Sequence, residues 1–158
     1  MSMHRWLISA GAVVALASCG SATDTTTFQP PPGYTAAVSV GPFVKVWRGP
    51  QNKRIGIVFM ALPTEIPFDK IGENTTVQDA EVVKHEALKI CGSQNAYYLS
   101  MIGATQEAQS ADPGEKELID VIATHLNGKT YMAMYVRPKG TAADPAAETA
   151  IKNVCPKS

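Results

Sequence analysis

The 158-residue chain has no excess of charge of either sign: 14 Lys and Arg stand against 14 Asp and Glu. Nucleic-acid binding rests on concentrated positive charge, so this balance argues against a nucleic-acid partner. Nor does the sequence contain a basic run of the kind that docks on anionic lipid. A membrane-spanning hydrophobic run is also missing. The apolar stretch LISAGAVVALA, residues 7 to 17, is far shorter than the roughly 20 residues a spanning helix needs. Histidine and cysteine are scarce, at three each, which limits metal and thiol chemistry. No G-x-S-x-G surrounds Ser93 or Ser100, and no glycine-rich loop opens a helix, since GEN at residues 72 to 74 lacks the glycines and lysine of a phosphate cradle. The sequence therefore supports no enzyme and no cofactor.

What it does contain begins at the N-terminus. MSMHRW is short and carries Arg5, and the apolar run of residues 7 to 17 follows. A basic start and an apolar stretch of roughly 7–15 residues have the order of a secretory signal. Leu16, Ala17, Ser18 and Cys19 come next: one aliphatic residue, two small ones and a cysteine. This resembles the bacterial lipoprotein signal, in which such a lipobox is processed. The resemblance implies a diacylglyceryl group on the Cys19 sulfur, cleavage after Ser18, and acylation, typically with palmitate, of the new amino group. Gly20 rather than Asp follows the cysteine, which points to the periplasmic face of the outer membrane over the inner membrane. An ordinary cleaved signal with a chance cysteine is the alternative. Two or three acyl chains would hold the protein stably, at about 0.8 kcal/mol per buried CH₂.

Cleavage would leave residues 19 to 158, with Cys91 and Cys155 as the remaining thiols. In an oxidising compartment they have one intramolecular pairing, so a Cys91–Cys155 disulfide is expected, with two buried free thiols as the alternative. Residues 19–33 are rich in Ser, Thr and Pro and read as a flexible tether to a single domain over 34–158.

Within that domain TAAVSV, FVKVWRG and RIGIVFMAL favour strands. Thr76 and Asp79 have the spacing of a helix cap, and Ala80, Val83, Ala87, Ile90 and Cys91 form a helical stripe, which predicts a helix over 77–91 ended by Gly92. NAYYLSMIGA reads as a strand. Asn127–Gly128 predicts a two-residue hairpin turn, because both positions need positive φ. Its register puts Leu126 opposite Lys129. Ile119, Val121, Ala123, Met132, Met134 and Val136 then share one face, read as core. Leu118, Asp120, Ile122, Thr124, Tyr131, Ala133, Tyr135 and Arg137 share the other, read as partly exposed. A helix over 115–126 is the alternative. DPAAETAIKNVC has Asp144 as cap and Pro145 at the first position of a last helix. The expected fold is α+β, with an antiparallel sheet of about five strands, two helices on one face, and order β-β-α-β-β-β-α.

Few residues are candidates for function. Asp120 is a carboxylate inside an apolar strand, but reads more readily as outward-facing. His125 beside the hairpin turn reads as solvated. His85 and Cys91, six apart on the expected helix, point roughly 240° apart and cannot share a metal. Tyr131, Tyr135 and Arg137 have the composition of an interface, although tyrosines simply covering the sheet would look the same. The chain is thus expected to be a lipid-anchored envelope lipoprotein with a noncatalytic periplasmic domain that binds an envelope protein or serves as an accessory component. Carriage of a hydrophobic small molecule or lipid between sheet and helices is the alternative.

Overall fold

The computed structural model describes residues 25–40, 44–50, 54–77, 79–103 and 115–157. The signal and Cys19 lie outside the described residues. Branched and aromatic residues in alternation build eight strands: β1 (Thr35–Val40), β2 (Val44–Arg48), β3 (Gly56–Leu62), β4 (Thr76–Val77), β5 (Ala80–Ile90), β6 (Gln94–Gly103), β7 (Glu117–Leu126) and β8 (Lys129–Pro138). One α-helix, α1 (Pro145–Ile151), follows. The strands form a single antiparallel sheet in the order β1-β2-β3-β8-β7-β6-β5-β4. Two meanders, β1–β3 and β4–β8, are joined where β3 pairs with β8. The segment between β3 and β4 carries the chain from mid-sheet to the far edge across one face.

The expected five-strand sheet with two helices is therefore replaced, among the described residues, by eight strands and one α-helix. The largest departure is the helix over 77–91, which is β5. Its sequence alternates about a bulge: Val82 pairs with Met101, and the register then shifts so that Lys84 pairs with Ser100. The extra residue, Val83, breaks the two-residue period and leaves apolar residues at spacings that imitate a helix. Asp79, expected to share a helix cap with Thr76, and Cys91, expected on a helical stripe, sit in turns with φ of 66° and 52°. The last helix does form. The Asp144 side chain accepts a hydrogen bond from the Ala146 N–H at 2.9 Å, and Pro145 occupies the first turn. It stops at Ile151, short of Cys155.

The β7–β8 hairpin has the expected register. Leu126 pairs with Lys129, and Asn127 and Gly128 have φ of 52° and 74°. Its expected core face does pack, but the mixed face is not partly exposed as expected. Ile122, Ala133 and Tyr135 on the mixed face are 0% exposed, because α1 and the N-terminal segment cover that face. The opposite face packs Val121, Ala123 and Met132 with Val82, Leu99 and Phe68 beneath the crossing segment.

Residues 25–33, assigned by composition to the tether, belong to the body of the domain. Phe28 is buried, with its ring 5.0 Å from Phe59 and 5.4 Å from Trp47. Thr26 pairs with Pro156, and the Thr27 N–H donates to the Cys155 carbonyl at 2.8 Å. A single aromatic residue in a polar segment is enough to anchor it. Cys91 and Cys155 are joined in a disulfide, with Cα atoms 6.1 Å apart, within the usual range. The bond ties the β5–β6 turn to the segment after α1.

Candidate functional site: a cleft between the helix and the sheet

On the helix-covered face, alternate residues of three strands converge beneath α1. Lys84, Glu86 and Leu88 come from β5, Tyr98 from β6, and Asp120 and Ile122 from β7; Glu148, Ile151 and Lys152 close the other side. Together they line a cleft of about 310 Å³. The disulfide holds the far end of α1 over β5, which forms the outer wall. Leu88, Ile122 and Ile151 make an apolar floor, and Lys84, Glu86, Glu148 and Lys152 give the rim both signs of charge.

The deepest polar group is Asp120. It stands opposite Tyr135 in the hairpin and diagonal to Arg137 on the same face. Arg137 Nη1 donates to its Oδ2 at 2.6 Å, with both side chains buried. The Tyr98 hydroxyl donates to Oδ1 at 2.8 Å. Arg137 also lies over the Tyr135 ring, 4.9 Å from its centre. Burial, and then the hydrogen bond to Asp120, push the Tyr98 hydroxyl up to about 12. On the rim, Lys84 bonds Glu86 at 2.9 Å and lies 5.2 Å from the Tyr98 ring centre. That bond holds the Glu86 carboxyl below its ordinary range.

Each Asp120 oxygen accepts one hydrogen bond, Oδ2 from Arg137 and Oδ1 from Tyr98, which fixes the carboxylate at the bottom of the cleft. Among the described residues no group of His, Cys, Asp and Glu gathers as a metal site.

The sequence-derived candidates distribute as follows. Tyr131, Tyr135 and Arg137 are buried at 6%, 0% and 7% exposure, so they offer a partner no surface. Their aromatic and charged character belongs to a packed interior: the Tyr135 hydroxyl accepts from the Asp144 N–H at 3.0 Å. Asp120, read as facing outward, is the buried centre of the cleft. His125, read as solvated, is partly buried. Its Nε2–H donates to the Ile66 carbonyl at 2.8 Å, and its ring lies 5.9 Å from Phe68, pinning the crossing segment. Sequence reasoning missed Lys84, Glu86, Leu88, Tyr98, Glu148 and Lys152. The hairpin register brings Asp120 and Arg137 together; the misread β5 concealed Lys84, Glu86 and Leu88.

No protein-family model matches the chain, and neither does any curated protein. Among solved structures, the Ran-binding protein Mog1p of Saccharomyces cerevisiae is similar, with a TM-score of 0.51 at 12% identity, covering 85% of this chain and 82% of that one. Cyanobacterial PsbP (CyanoP) of Synechocystis sp. PCC 6803 has a TM-score of 0.46 at 21% identity, covering 76% and 78%. The first likeness shows a shared fold alone, and the second carries no argument.

Proposed function

We propose that this chain is a lipid-anchored protein of the bacterial cell envelope, held on the periplasmic face of the outer membrane through Cys19. Its noncatalytic domain binds a protein partner in the cleft between α1 and β5. The lipobox Leu16-Ala17-Ser18-Cys19 supports the anchor. The observation that carries the binding reading is the anchoring of Asp120 by Arg137 and Tyr98, which gives the cleft a fixed polar group beside its apolar floor.

The position of the cleft favours an extended peptide. β4 pairs with β5 through Thr76↔Glu81 and Val77↔Ala80, and the residues before it bond only as far along as Val82 and the His85 N–H. Among the described residues no strand covers the outer edge of β5 from Lys84 to Ile90. A segment added there would gain main-chain hydrogen bonds and present alternate side chains to the cleft. The charged rim and the modest volume, at the low end of the roughly 300–1,000 Å³ of small-molecule sites, fit one side chain better than an acyl chain.

The test is photocrosslinking in the native envelope from a probe at Leu88, with a probe at Lys139 as the distant control. A discrete protein adduct at Leu88, absent at Lys139 and weakened by Ile151→Glu, is expected. Solvent-extractable lipid as the sole Leu88 adduct would instead establish the carrier alternative.

A further inference from the structure

The sequence has no basic run, yet the fold assembles a basic end. Lys89, Lys129, Lys152 and Lys157 are far apart in the chain, and all are exposed. Lys89 lies two residues before Cys91, and its Nζ donates to the Ser93 carbonyl in the β5–β6 turn. Cys91 is bonded to Cys155, two residues before Lys157, and its sulfur lies 3.9 Å from the Lys152 carbonyl oxygen. Lys129 opens β8, two residues before Tyr131.

These residues surround the point where the described chain enters the domain. The Lys157 N–H donates to the Thr25 carbonyl at 3.2 Å, and Thr25 Oγ1 donates to the Tyr131 hydroxyl at 3.3 Å. Glu65 is also exposed at this end, in the crossing segment beside Thr130. Exposed Asp79, Glu81 and Glu115 lie at the opposite end of the strands. Exposed Lys116 and Lys139 lie there too, so the two signs nearly balance at that end, whereas lysine is in excess at the end where the described chain enters.

We propose that the end bearing Lys89, Lys129, Lys152 and Lys157 faces the membrane and that these lysines contact anionic lipid headgroups. The inference rests on acylation of Cys19. Six residue steps separate Cys19 from Thr25, about 20 Å of fully extended chain at most. So short a leash keeps the basic end close to the bilayer surface. Each lysine near an anionic surface favours association by roughly fivefold. The opposite end, where exposed charges of both signs lie, is directed away from the membrane.

The experiment uses the full lipidated protein, purified from its native envelope and inserted into preformed vesicles. One set is phosphatidylcholine alone; the other contains phosphatidylglycerol as well. Amine acetylation is followed lysine by lysine by mass spectrometry. At low salt the anionic vesicles should slow labelling of Lys89, Lys129, Lys152 and Lys157 by roughly fivefold, leaving distal Lys116 and Lys139 unchanged. Salt near 1 M, where the screening length is about 3 Å, should abolish the difference. Equal protection at both ends, or none at the basic end, would overturn the proposal. The same digest reports the state of Cys19. An acylated Cys19 with unprotected lysines refutes this inference alone, whereas an unmodified Cys19 refutes the anchoring reading and this inference with it.

Discussion

At the scale of single residues, the centre of the molecule is Asp120 with its two donors. Removing one member of a buried ion pair leaves a desolvated charge behind, which costs about 3–5 kcal/mol. Asp120→Ala should therefore lower unfolding stability by about that amount in denaturant titration, and a loss below about 1 kcal/mol would show that Arg137 finds other compensation. Tyr98 makes a separate prediction. It keeps its proton up to about pH 12, whereas an ordinary tyrosine releases it near 10.0. The unfolded chain then binds fewer protons between those values, so stability falls as pH rises through that window and is intact below it. Tyr98→Phe should flatten this part of the stability profile relative to the unsubstituted protein; identical slopes would contradict the assignment. Both residues bear on legibility. Asp120 and Arg137 could be brought together on paper because the Asn127–Gly128 turn fixes a register from which every pair follows. Tyr98 could not, because its own strand was legible only as a strand, without a register to β7.

At the scale of elements, β5 shows why periodicity alone fails. Ala80, Val83, Ala87 and Ile90 have helical spacing, but a bulge at Val83 produces the same spacing in a strand. The deciding contacts are between strands: nine residues of β6 supply partners that the pattern of β5 alone does not reveal. The β6–β5 packing has its own check at Gly103. A Cβ there would stand 2.8 Å from the Ala80 Cβ and 3.0 Å from its Cα. Gly103→Ala should cost roughly 1–3 kcal/mol by overpacking, and Ala80→Gly in the same chain should return part of it. If the double variant is no more stable than Gly103→Ala, the clash is not the cause. The mixed face of β7 and β8 teaches a related lesson. Tyrosines, an arginine and an aspartate on one side of a hairpin look like surface. They are interior here because their polar atoms satisfy one another and the cap of α1.

At the scale of the whole molecule, the sheet is closed over by segments that carry little regular structure. Thr25 to Tyr34 and the chain after α1 cover one face, and the segment from β3 to β4 covers the other. Composition assigned the first of these to a tether, since prolines and threonines outnumber the one aromatic that matters, Phe28. The Cys91–Cys155 bond, which the expected compartment and the cysteine count made legible, secures this cover. It spans 64 residues, for which chain-entropy reasoning gives about 4 kcal/mol. Reduction should lower unfolding stability by that order, measured by denaturation with and without reductant; no change would mean that the C-terminal segment holds without it. The whole account takes the domain to be an exported body tied to a membrane through its nineteenth residue. The most direct test is the intact mass of protein isolated from its native host. The account predicts a chain beginning at Cys19 and carrying diacylglyceryl and amide-linked acyl groups. A mass that retains residues 1 to 18, or a mature chain with an unmodified Cys19, would contradict it.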